Sequence, residues 1–158
     1  QAIPLCKALI PLDGSSRAQE ALEPGLELAR ILGCQVTLLR ADQGEDLSSV
    51  EQGLLQMAGA GACQELVEGT EDRLAYYLEC LARQYRSPDL VIETAVVQAK
   101  PAEAILTYAE AEGIDLIVMA THGQSGLRRW VFGSVTEKIL RQAGCAMLVV
   151  RPSISQNQ

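Results

Sequence analysis

Leu116-Ile117-Val118-Met119-Ala120 is a run of five apolar residues with no polar alternation. A strand with one face in water alternates with period two. An unbroken apolar strand is covered on both faces, as in a parallel sheet with helices on either side. Downstream the pattern predicts a loop, a helix from Ser134 to Ala143 and a last strand, Ala146-Met147-Leu148-Val149-Val150, before a polar tail after Pro152. Upstream, Pro101 suits the first position of a helix that runs to Gly113 through Ile105, Tyr108 and Ala109. Leu90 to Gln98 reads as a strand, with Glu93 and Gln98 marking an edge or half-exposed position.

Further back, Leu74, Tyr77, Leu78, Leu81 and Tyr85 recur at helical spacing between Glu71 and Arg86, and Ser87-Pro88 ends that helix. Val36 to Ala41 is a strand. Ala18, Ala21, Leu22, Leu26, Ala29 and Leu32 outline a helix opened by Ser16 and Gln19 as a capping box and closed by Gly33. Pro24-Gly25 predicts a kink or break inside it. The first strand is Cys6 to Leu12, with Pro11, which cannot donate to a ladder, marking its end before Asp13-Gly14. Residues 42–69 are dotted with glycine and are expected to form a mobile connection with short helical turns. Strands alternating with helices define a single α/β domain with a parallel sheet.

The 158 residues fit one domain, and 48% hydrophobic with 21% charged is a globular balance. Thirteen Lys and Arg against 20 Asp and Glu leave a net charge of −7. That sign argues against nucleic acid or an anionic membrane as partner, although backbone amides can still bind a phosphate. No apolar run approaches the ~20 residues of a membrane span, and no signal peptide is expected from the start of the chain. Cys6, Cys34, Cys63, Cys80 and Cys145 lie at irregular spacing with no Cys-x-x-Cys. They are read as buried thiols in a reducing cytoplasm, and no zinc site is expected.

Two loops follow the carboxyl ends of strands, where open α/β sheets bind ligands. One is Pro11-Leu12-Asp13-Gly14-Ser15-Ser16. The other is Ala120-Thr121-His122-Gly123, then nine residues, then Gly133-Ser134 at the head of a helix. Glycine lets backbone amides approach an anion, and a helix start offers free amides at the positive end of the dipole. Ser134 with Glu137 has the spacing of a second capping box; the stretch by itself fits capping alone or capping with phosphate binding. No Gly-x4-Gly-Lys phosphate loop occurs, since none of Lys7, Lys100 and Lys138 follows a glycine.

In this order and spacing, Asp13-Gly-Ser-Ser16, Met119-Ala-Thr-His-Gly123, Gly133-Ser134-Val135-Thr136-Glu137 and Met147-Leu-Val-Val150 resemble the universal stress protein family across nearly the whole chain. The resemblance implies a Rossmann-like (adenine nucleotide alpha hydrolase-like) domain whose five parallel strands lie in the order 3-2-1-4-5. It also implies an ATP site, with magnesium as a possible companion. One branch of the family binds ATP through Gly-x2-Gly-x9-Gly-Ser/Thr. The second and third glycines match Gly123 and Gly133, and the hydroxyl residue matches Ser134. The first glycine is Ala120 here, a change tolerable unless that position needs a positive φ. By the same resemblance Asp13 holds ribose hydroxyls, Pro11, Ala41 and Met119 surround the adenine, and His122, Val135 and Thr136 complete the nucleotide-binding set.

His122 is read as a loop residue that orients backbone or faces solvent rather than as a general base. Arg128 and Arg129 either reach a terminal phosphate or lie on the surface, and Trp130 and Phe132 are expected to pack under the loop. The resulting reading is a cytoplasmic, nucleotide-responsive regulatory module. Its competitors are a slow magnesium-dependent ATPase or phosphotransfer enzyme and a family member that works by protein contacts alone. The apolar, uncharged strand 146–150 at a sheet edge predicts a homodimer by antiparallel strand pairing, with a further protein partner left unnamed.

Overall fold

A computed structural model describes residues 6–44, 49–57, 70–121 and 132–151. The element order is β1 (Lys7–Leu12), α1 (Ser16–Gln19), α2 (Leu22–Leu32), β2 (Gln35–Asp42), α3 (Ser49–Met57), α4 (Thr70–Tyr85), β3 (Ile92–Gln98), α5 (Pro101–Glu112), β4 (Leu116–Ala120), α6 (Ser134–Gln142) and β5 (Ala146–Val150). All neighbouring strands pair in parallel, in the order β3-β2-β1-β4-β5. β3, expected at an edge, is one of the two edges.

Side chains alternate between two cores. Ala8, Ile10, Val36, Leu38 and Val118 face α2 and α4, where Leu22, Leu26, Tyr77 and Leu78 cover them. Leu9, Leu39, Ala41, Ile117 and Met119 face the other way, against Ala102 and Ile105 of α5 and Ile139 of α6. That is why Leu116 to Met119 is buried without alternation: each successive residue meets a different helix layer.

The helix predicted from Ser16 breaks at Glu20–Ala21, ahead of Pro24, which then sits in the first turn of α2 where its missing N–H costs little. Gly25 lies against the sheet: a Cβ there would stand 3.0 Å from both Ile10 Cδ1 and Val118 Cγ1. Gly33 and Gly113 close α2 and α5 with φ of 68° and 65°, as C-terminal caps require. Pro11 is the penultimate residue of β1, opposite Leu39. The ladder from β1 to β4 covers only Ala8↔Leu116 and Leu9↔Ile117, so it has already ended where Pro11 lacks a donor. At the other end of the sheet, Asp115 joins three strands. Its side chain accepts from Lys7 N, its N–H donates to the Lys7 carbonyl, and its carbonyl accepts from Ala146 N.

One expectation is corrected here. Cys6 and Cys34 are joined in a disulfide, so the cysteines are not all free thiols. Each immediately precedes a strand, and the register Lys7↔Gln35 sets them side by side. Cys80 is buried and free, Cys145 is half-buried and free, and Cys63 lies outside the described residues. Within the connection after β2, α3 is a nine-residue helix with Glu51 wholly buried, and residues 45–48 and 58–69 lie outside the described residues. Among the described residues no helix is long and apolar enough to cross a membrane.

Candidate functional site

The pairing of β1 with β2 on one side and β4 on the other is where the strand order reverses, and the two strands part beyond Leu9 and Ile117. A cavity of about 320 Å³ opens there. Its apolar wall is Pro11, Leu39, Ala41, Ile105 and Met119; Asp13, Ser15 and Arg17 stand on one rim, and Thr121, Val135 and Thr136 on the other. The volume lies at the lower end of the range for small-molecule sites, and an apolar body with a few polar groups is their usual composition.

The Asp13 rim is shaped by Gly14, whose φ of +78° turns the chain as soon as β1 ends. Asp13 is exposed, and its Oδ1 accepts from Ser15 N at 2.9 Å and from Ser15 Oγ at 2.6 Å. Both of these bonds fall on the same carboxylate oxygen. Ser15 Oγ in turn accepts from Ala18 N at 3.2 Å. The N-cap of α1 is therefore Ser15 and not Ser16. Gln19, expected in the capping box, instead donates through Nε2 to the Tyr77 hydroxyl at 2.9 Å.

On the opposite rim, Gly133 is the N-cap of α6, with an extended φ of −62° and no side chain to cap with. Ser134 is the first helical residue, and Glu137 pairs with Arg141 at 2.6 Å, so the expected Ser134–Glu137 capping box does not form. The first backbone bond of α6 runs from Glu137 N to the Gly133 carbonyl, which leaves the amides of the first turn without a helical acceptor. Val135 and Thr136 from that turn line the cavity, and Thr136 is buried. Ala120 ends β4, and no described residue other than glycine has a positive φ, so alanine fits this backbone without strain.

Pro11, Asp13, Ala41, Met119, Ala120, Val135 and Thr136 thus meet at one cavity, with Gly133 and Ser134 at the head of α6 beside it. His122, Gly123, Arg128, Arg129 and Trp130 lie outside the described residues. Sequence reasoning missed Arg17, Arg40 and Gln43 on the wall. Arg17 lies four residues beyond Asp13 on the turn into α1, a spacing that could have drawn notice; Arg40 and Gln43 gave no such signal. Among the described residues no cluster of three or more His, Cys, Asp or Glu could hold a metal.

Beneath the Asp13 loop is a buried polar cluster. Arg40 Nε bonds Glu51 Oε1 at 2.9 Å, and Arg40 Nη1 donates to the Ala41 carbonyl at 3.1 Å. Tyr77 packs beside them, and burial is the main force pushing its hydroxyl up to about 12, with Glu51 and Asp13 adding to the rise and Gln19 and Arg40 opposing it.

Known proteins share this fold. A universal stress protein of Methanocaldococcus jannaschii is 28% identical over 145 residues, covering 92% of this chain and 81% of its own. The Arabidopsis thaliana family protein solved with AMP bound superposes with a TM-score of 0.65 at 15% identity, covering 97% of this chain and 95% of that one. A universal stress protein solved in complex with cAMP gives 0.60 at 19% identity, covering 94% and 98%. The model of the universal stress protein family matches residues 6–151, and the chain belongs to that family.

Proposed function

We propose that the protein binds adenine nucleotide, ATP in the first place, and acts as a nucleotide-responsive regulatory module of the ATP-binding branch. The observation that carries this reading is the cavity between β1 and β4, which has an apolar body, an acceptor carboxylate on one rim and the open amides of a helix on the other. In this reading the adenine lies among Pro11, Ala41 and Met119, and Asp13 accepts from the ribose hydroxyls. The triphosphate runs past Ala120, His122 and Gly123 to Gly133, Ser134, Val135 and Thr136. Magnesium, where present, rides on the phosphates, since a nucleotide supplies its own oxygen ligands. The relatives solved with AMP and cAMP support the choice of adenine. The backbone at Ala120 is free of strain, so the alanine does not stand against nucleotide binding.

The same reading makes the protein a homodimer; its cytoplasmic placement rests on the family reading alone, since the Cys6–Cys34 disulfide removes the argument from free thiols. β5 is an edge strand of Ala, Met, Leu, Val and Val, which suits antiparallel pairing with a second copy. The test of function is mass identification of nucleotide extracted from purified protein, with calorimetry of added ATP. Asp13→Ala is expected to lower ATP affinity by about ten- to a hundredfold, as loss of hydrogen bonds to a charged group does. No extracted nucleotide and no heat of ATP binding would end this reading.

A further inference from the structure

Glu51 is the one acid among the described residues that is wholly buried, and its carboxylate lies against the Asp13–Gly14 turn and Arg40 rather than on the cavity wall itself. Its carboxylate makes two contacts that matter. The ion pair with Arg40 is one, and Arg40 in turn holds the carbonyl of Ala41 on the cavity wall. The other is with Gly14: both Glu51 carboxylate oxygens lie 2.5 Å from where a Cβ on residue 14 would stand. Only a glycine lets the carboxylate seat there, and only a left-handed residue makes the turn that carries Asp13 onto the rim.

We propose that Glu51 is a positioning residue for the nucleotide cavity, locking the Asp13–Gly14 turn and the Ala41 carbonyl in place from α3, so that docking of α3 and occupation of the cavity are coupled. This rests on the nucleotide reading above. The physical basis is that a buried carboxylate needs its partners: Arg40 neutralises it, and with α3 undocked Arg40 loses its counter-ion while the Gly14 turn loses its backing. A ligand that needs Asp13 and Ala41 in place therefore favours the docked state. By linkage, docking favours the ligand by the same factor. The raised Tyr77 hydroxyl supports the grouping, since Glu51, Arg40 and Asp13 all act on it.

The experiment is calorimetric titration with ATP together with amide hydrogen exchange of residues 14–18, on wild type, Glu51→Gln, Asp13→Ala and the double variant. Glu51→Gln is expected to weaken ATP at least tenfold and to speed exchange of those amides at least tenfold. Added to Asp13→Ala it should cost at least threefold less than it does in wild type, because the share that acts through Asp13 is already lost and only the share carried by the Ala41 carbonyl remains. If Glu51→Gln does not fold, the apolar pair Arg40→Met with Glu51→Leu removes the lock without leaving a buried lone charge, and the same changes are expected. Unchanged exchange overturns the inference whatever the affinity does. Loosened amides with affinity within twofold of wild type also overturn it, since the role is then structural only. If wild type binds no ATP, the nucleotide reading fails by itself and the exchange comparison alone decides whether Glu51 holds the turn.

Discussion

Gly14 and Gly33 have nearly the same backbone, with φ of +78° and +68°, but very different surroundings. A Cβ on Gly33 meets nothing within 4 Å, whereas one on Gly14 meets the Glu51 carboxylate. Replacement by alanine therefore costs both positions the left-handed penalty of about 1–2 kcal/mol. At Gly14 it also evicts Glu51 from its seat, and breaking a buried ion pair costs about 3–5 kcal/mol. Gly33→Ala should lower stability by about 1–2 kcal/mol and Gly14→Ala by about 4–7 kcal/mol, much of the 5–15 kcal/mol typical of a domain. Urea unfolding followed by circular dichroism measures both, with equal slopes confirming that the native fold is shared. Gly14→Ala within about 1 kcal/mol of Gly33→Ala, against a gap of at least ~3 kcal/mol expected from the ion pair, would refute the claim that Glu51 fills that space.

Further expectations concern the core, the crosslink and the cavity. Tyr77 holds its proton up to about 12 in the folded state against ~10 unfolded, so the folded state binds more protons in that window. Its stabilisation is complete below pH ~10 and falls by about 3 kcal/mol as pH rises to ~12; urea titrations should show this slope in wild type and lose it in Tyr77→Phe. The Cys6–Cys34 bridge closes a loop with a sequence separation of 28. Reduction should lower stability by about 3–4 kcal/mol and expose two further thiols to titration; an unchanged denaturation midpoint would contradict the link. Ala120→Gly should change ATP affinity by less than about tenfold, because the alanine carries no backbone strain; a gain of several hundredfold by calorimetry would show that it blocks the site.

Strands were legible because a parallel sheet between two helix layers writes itself as short apolar runs. Leu116–Ala120 and Ala146–Val150 needed no adjustment, and β2 gained one residue at each end. Pro101 opens α5 as its sequence position suggests, whereas α4 starts one residue earlier than read and α1 and α6 carry other caps. Asp13-Gly14-Ser15-Ser16 holds two serines and an aspartate that can cap locally, and only the bond from Ala18 N to Ser15 Oγ shows which one does. Gln19 was drawn away by Tyr77, 58 residues along the chain, a partner no local pattern reveals. The two rims followed from the place of two loops at strand ends, and Ala41 and Met119 from the family resemblance, but the Glu51–Arg40 pair followed from neither. A glutamate in a glycine-dotted stretch has the composition of a solvated connection, and its burial depends on an arginine from β2 that meets it only in the folded chain.

The central position of β1 has a consequence for how the chain is made. Its first neighbour, β2, follows within about thirty residues, but its other neighbour begins at Leu116, opposite Ala8. At roughly 5–20 residues per second, a ribosome takes on the order of 5–20 s to deliver β4 after β1 has emerged. During that interval β1, whose Ala8, Leu9 and Ile10 end up with no exposure at all, presents one open edge of backbone donors and acceptors. Non-local pairing of this kind is slow to form, and an apolar edge left waiting is a template for other nascent chains. The nascent protein is thus most vulnerable to aggregation before Asp115 emerges to tie the starts of β1 and β5 to β4.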